Sequence, residues 1–219
     1  ISKDVQHYLS GDLGRIGIGT IQSTSTALLP AILRRLLAER PGLQTRLEER
    51  YEEADLLDLL LRGELDVTFV VNGNPPGIDS VDVLVDPFVV LARAQDVDDG
   101  PITIDRLAAG PLIGQVGSTC QDVIDAGLRE AGCEPDYVFR SADNGAVVSM
   151  VRAGLGLALL PRLAVLEELD DPRLAIRPPV PAIPDRVIRL AWRRDRTLSP
   201  AVLRFRAIAI DVAAELGRA

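Results

Sequence analysis

Three short polar runs in this chain each stand between an apolar stretch and a helical pattern. Hydroxyl, amide and carboxylate groups dominate all three. The first is Thr20, Gln22, Ser23, Thr24, Ser25 and Thr26, which follows Ile16 and Ile18 and precedes Leu28, Ile32, Leu33, Leu36 and Leu37 at helical spacing. The second is Gly117, Ser118 and Thr119, entering a helix with Asp122 in its first turn. The third is Ser141, Asp143 and Asn144, leading into a helix that reaches Val151. A helix's first turn presents unpaired N–H donors at the positive end of its dipole, so such runs suit the binding of a carboxylate or similar polar group. The same residues also suit capping: Ser118 with Gln121, or Thr119 with Asp122, fits a capping box. Asp143 has two readings, a carboxylate facing a ligand or one engaged as a cap.

Chemistry beyond binding has little support. A lone histidine, His7, cannot build a histidine cluster, and Cys120 and Cys133 match no zinc spacing. There is no Walker loop and no G-x-G-x-x-G, and the acidic pairs Asp98–Asp99 and Asp170–Asp171 read as solvated turns. The expectation is a protein that is not an enzyme and carries no metal or cofactor. No Lys or Arg lies inside the first two runs to set the sign of a ligand, and two helix N-termini favour an anion.

The elements that must position these runs alternate strand and helix through 219 residues, an α/β pattern with a mostly parallel sheet and one or two domains. Strands are expected at 43–47, 65–71, 111–116, 137–140, 157–160, 174–176 and 187–192; helices are expected near 56–61, 120–131, 146–153 and from Ser199 onward. Pro87 interrupts the apolar run 81–91, which places an edge or a crossing there. With 24 basic and 32 acidic residues the net charge is −8, a balance unsuited to gripping a phosphate backbone. No apolar run approaches a membrane span and no secretory signal is visible, so a cytoplasmic location is expected. Because the sequence opens on Ile1 instead of an initiator Met, a fragment or processed product is expected.

The order of motifs resembles the effector-binding domain of LysR-type transcriptional regulators. The resemblance rests on GRIGIGTIQSTSTALLP at 14–30, residues 41–48, GELD at 63–66, GLGLALLP at 154–161 and residues 198–200. It implies a fold like type II periplasmic binding proteins, with two Rossmann-like lobes joined by two crossover strands. Residues 12–86 and 188–219 would form lobe I, 87–187 lobe II, and 1–11 the remnant of a linker from an N-terminal DNA-binding domain. It also implies a small effector held between the lobes, by Thr20, Gln22, Ser23 and Thr24 on one side and Gln115, Gly117, Ser118 and Thr119 on the other. Val71 and Asn144 are further positions, with plain core packing the competing reading of Val71. With two helix N-termini directed at it, an organic acid is the expected class. Lobe closure would be passed through a homodimer, a tetramer at full length, to a winged helix-turn-helix, so DNA is met only through that segment and no membrane is involved. Two alternatives remain open at this stage: a periplasmic-type solute-binding protein, and a redox sensor using Cys120, set against two ordinary half-buried cysteines.

Overall fold

The structure is a computed structural model and describes residues 14–71, 73 and 75–217. The expected linker remnant, 1–11, lies outside the described residues. In chain order the elements are β1 (Arg15–Thr20), α1 (Gln22–Ala27), α2 (Leu29–Glu39), β2 (Gln44–Glu49), α3 (Glu53–Leu61), β3 (Val67–Val70) and β4 (Ile78–Asp86). There follow β5 (Phe88–Arg93), β6 (Ile102–Thr103), α4 (Ile104–Ala108), β7 (Leu112–Gln115), α5 (Thr119–Glu130), β8 (Tyr137–Ser141), α6 (Asn144–Arg152) and β9 (Leu157–Pro161). The last elements are β10 (Leu174–Arg177), β11 (Pro179–Val180), β12 (Arg186–Arg193) and α7 (Pro200–Leu216).

The chain divides into two units. Unit 1 runs to Val85 and resumes at Val187; unit 2 is Asp86–Arg186. Both crossings come one residue earlier than the limits expected from the sequence. Asp86 is held in unit 2 because its carboxylate accepts from Leu163 N at 2.9 Å and from Arg186. Pro87 therefore marks a crossing, between β4 and β5.

In unit 1 the sheet order is β2-β1-β3-β12-β4, with β1 parallel to β2 and β3, and β12 antiparallel to β3. After its exposed first residue β1 is buried throughout, as a central strand covered on both faces should be. The edge strand β2 carries Arg46, Glu48 and Glu49, and charge on an edge discourages further strand pairing. The closing helix α7 begins with Ser199 Oγ accepting from Val202 N at 3.3 Å and Pro200 in the first turn. It returns to the sheet through Phe205, whose ring meets that of Phe69 edge-on at 6.1 Å between centroids.

One expectation fails here. The sequence places the hydroxyl run ahead of a helix that starts near Leu28, whereas residues 22–27 are themselves the helix α1, separated from α2 at Leu28. Two causes act together. Thr24 Oγ1 donates to Ile21 O at 2.9 Å and Thr26 Oγ1 to Gln22 O at 3.2 Å, so the hydroxyls are satisfied within the turn. Pro30 has no N–H to give to the preceding turn, which ends α1 and restarts the helix as α2.

In unit 2 the order is β10-β5-β9-β7-β8. Strand β5 is antiparallel to β9 and β10, while β7 is parallel to β8 and β9, so the sheet is mixed rather than mostly parallel. Period-two alternation sorts its core: Phe88 and Val90 pack with Cys120, Ile124 and Leu128 of α5 on one face. Val89 and Leu91 pack with Val147, Val148 and Val151 of α6 on the other. Among the described residues no helix is long and apolar enough to cross a membrane.

Candidate functional site

In unit 1 the polar residues gather where β1 ends. Thr20 is 2 % exposed and Thr24 fully buried, and their hydroxyls bond each other at 2.7 Å. Ser25 Oγ donates to Thr20 Oγ1 at 3.3 Å. These contacts shape the turn, and they leave Thr24 no surface to offer a ligand. Ser23 is buried and Gln22 half-buried at the start of α1. With six residues α1 has little dipole to contribute, which removes one of the two helix termini expected to favour an anion. Val71 donates its backbone N–H to the Glu53 carboxylate and packs against the leucines of α3. Glu53, buried at the first residue of α3, was not singled out from the sequence; the signal available was acidic residues ahead of an apolar helical run.

In unit 2 the geometry is more elaborate. Gln115, the last residue of β7, is 6 % exposed, and most of its polar atoms are engaged. Its backbone N–H donates to Gln121 Oε1 at 2.5 Å, and its Oε1 accepts from Ser118 Oγ at 3.2 Å. Its Nε2 donates to Asn144 Oδ1, and its carbonyl accepts from Arg140 Nη1 at 3.3 Å. The chain then turns through Gly117, whose φ of 61° lies in the left-handed region that favours glycine, into α5 with Ser118 at the N-cap and Thr119 half-buried. Gln115, Ser118 and Asn144 are thus brought together. The capping box is not formed: the Ser118 side chain turns to Gln115, and Gln121 reaches back past the cap to β7. Asp143 is a cap, its carboxylate accepting from Gly145 N at 2.7 Å.

Behind this loop stands a cluster that sequence inspection missed. Gln121 Nε2 donates to Asp125 Oδ1 at 2.6 Å and to the Tyr137 hydroxyl at 2.7 Å, and that hydroxyl donates to Asp125 at 2.5 Å. Burial and then the Asp125 carboxylate push the Tyr137 hydroxyl well above its usual pKa, so it stays a neutral donor. The cluster needs a glycine at 114, where a Cβ would lie 2.7 Å from the Tyr137 ring and 3.0 Å from Gln121 Oε1. Gly114→Ala is accordingly expected to destabilise unit 2 by about 1–3 kcal/mol through overpacking. Urea unfolding checks the cost, and the loss of the Tyr137 near-ultraviolet signal checks the cause.

Neither cysteine is in a disulfide, and both are buried. Cys120 Sγ accepts from Arg186 Nη1 at 2.8 Å. Cys133 lies beyond the far end of α5, roughly 15 Å along the helix, and burial pushes its thiol pKa up, against thiolate formation.

The LysR substrate binding domain model matches residues 10–214. Among curated relatives, the uncharacterized HTH-type transcriptional regulator YusT of Bacillus subtilis is 26 % identical over 88 % of this chain and 64 % of its own length. The malonate utilization transcriptional regulator of Klebsiella pneumoniae is 30 % identical over 76 % of this chain and 56 % of its own length. The chain thus spans less than two thirds of the length of either relative. The Synechocystis CcmR regulatory domain, in complex with 2-PG, superposes with a TM-score of 0.82 at 18 % identity, covering 91 % of this chain and 97 % of that one. The effector binding domain of QuiR, in complex with shikimate, gives 0.78 at 17 % identity, covering 92 % and 98 %. With the family model spanning both units and both loops, this chain belongs to the LysR substrate binding domain family.

Proposed function

We propose that this chain is the ligand-sensing part of a LysR-type transcriptional regulator and that its effector is a small anion, an organic acid in the first instance. The observation that carries the reading is the Gln115–Ser118–Asn144 cluster, with Gln115 and Asn144 buried, at the C-terminal ends of β7 and β8 and beside the starts of α5 and α6. Open α/β sheets bind ligands at that end of their strands. Gln22, Ser23 and Thr20 at the end of β1 supply the unit 1 contacts, with Thr24 holding the turn rather than touching ligand; Gly117 and Thr119 line the unit 2 loop. Val71 contributes through its position on Glu53. The complexes of CcmR with 2-PG and of QuiR with shikimate support a small-molecule effector. The domain acts in the cytoplasm, as a homodimer that becomes a tetramer in the full-length protein, and reaches DNA through a segment outside this chain. It performs no turnover. An effector shifts the protein between conformational states only by its differential affinity for them.

Isothermal titration with malonate, shikimate and other small acids, alongside their neutral amides, tests the reading. At least one acid is expected to bind, and Asn144→Ala to weaken it about tenfold, the cost of one buried hydrogen-bonding group. Binding of neutral amides while every acid fails overturns the anionic assignment.

A further inference from the structure

The structure assigns Arg140 as the cation that holds the effector's oxyanion group, carboxylate or phosphate, at the unit 2 loop. This inference rests on the effector reading above and goes beyond it by naming the charged partner, which the loop sequences themselves lack. Arg140 comes from the edge strand β8 and is remote in sequence from Gln115, yet its Nη1 donates to the Gln115 carbonyl at 3.3 Å. That carbonyl ends β7, so the guanidinium sits at the end of the strand where Ser118 and Asn144 converge.

Its placement follows from the register. Strands β7 and β8 pair Leu112 with Tyr137 but Ile113 with Phe139, so β8 carries one extra residue at this point. The slip brings Tyr137 and Arg140, three apart, onto the same face of the sheet, and the guanidinium carbon lies 4.1 Å from the centre of the Tyr137 ring. Tyr137 is in turn fixed by Asp125 and Gln121. The cation is therefore held by stacking and by one carbonyl.

Three other arginines of unit 2 are committed to carboxylates at close range. Arg93 forks onto Asp96, Arg173 onto Asp171 and Arg186 onto Asp86, all with contacts of about 3 Å. Arg140 approaches Asp125 only to 3.8 Å, and Asp125 Oδ1 is already taken by Tyr137 and Gln121. Its side chain remains 42 % exposed. Stacking covers a face of the guanidinium and leaves in-plane N–H donors at its edge. A guanidinium so held loses little freedom on meeting an oxyanion, and its fork suits two oxygens at once. The Asp125 carboxylate, 3.8 Å from Nη2, tempers the positive field. Asp143, the other acid by the loop, is engaged on Gly145 N.

The test uses this chain and two oxyanion probes, malonate and methyl phosphate, with malonamide as the neutral control. Titration calorimetry is run on the wild type, Arg140→Gln and Arg140→Lys, with Tm recorded for each. The expected result is binding of an oxyanion by the wild type, a loss of at least tenfold in Arg140→Gln at unchanged Tm, and partial recovery in Arg140→Lys. Which probe binds distinguishes carboxylate from phosphate. Undiminished oxyanion binding by Arg140→Gln overturns the assignment of Arg140 while leaving the effector reading standing. Failure of the wild type with both oxyanions while malonamide binds overturns the anionic reading and this inference together. Failure of all three probes overturns the inference for both oxyanion classes named.

Discussion

Arg186→Gln is expected to destabilise unit 2 by about 3–5 kcal/mol at neutral pH, the cost of leaving a buried charge without its partner. Arg186 donates from Nε and Nη2 to Asp86 Oδ2 at 2.9 and 2.7 Å, and both side chains are almost fully buried. These residues begin and end unit 2, so the pair ties together the two places where the chain enters and leaves it. Burial raises the Asp86 pKa above its usual value, against the opposing pull of Arg186 and of the Leu163 N–H. A carboxylate whose folded pKa is raised binds protons more readily when folded, so its stability contribution is full below the unfolded pKa and falls as pH rises through the folded value. Removing Arg186 raises the folded pKa further. The loss in Arg186→Gln is therefore larger at pH 7 than at pH 5, because a raised pKa makes Asp86 easier to protonate as the pH falls. Urea unfolding at the two pH values measures this, and an equal loss at both would contradict it. The double variant Asp86→Leu with Arg186→Met, which removes both charges, is expected to cost far less than either single change.

Phe205→Ala is expected to cost about 3–5 kcal/mol, as truncation of a fully buried aromatic does, and to confine that cost to unit 1. The ring is 0 % exposed and contacts Phe69 in the middle of the unit 1 sheet. It carries α7 back onto strands laid down far earlier in the chain. The ion pairs that also join α7 to α2, Arg204–Glu39 and Arg35–Glu215, are solvent-exposed and contribute little by comparison. Amide hydrogen exchange should accelerate in β1 and β3 and remain unchanged in β7 and β9. Fluorescence of Trp192, on β12, should report the same early unfolding. Equal acceleration in both units would show that they unfold as one body.

The sequence made the larger elements legible because their apolar residues repeat over enough positions to reveal a period. The strand at β7, the helix at α5 and the capped start of α7 all carried that signal. The two-residue strands β6 and β11 and the five-residue helix α4 did not, being too short for periodicity to speak. The hydroxyl run misled because Ser and Thr favour caps and turns, and their capacity to satisfy one another inside a helical turn depends on the fold. At the site, Gln115, Ser118 and Asn144 were visible as polar residues flanking strands and helices. Gln121 and Arg140 were not visible as partners of Gln115. One reaches back across a helix start, and the other arrives through a one-residue slip in strand pairing that no local pattern announces. Glu53 was hidden in the same way, since an acidic residue opening a helix reads as a solvated charge until the fold buries it against the Val71 N–H.

Residue-resolved hydrogen exchange, recorded with and without an acid that binds in the calorimetric screen, tests most directly whether these two loops sense an effector. The proposed function predicts added protection at residues 21–25 of unit 1 and at 115–120 and 144–146 of unit 2, in the same titration and with the same midpoint. Protection confined to one unit, or appearing only at surfaces away from the ends of β1 and β7, would contradict the account.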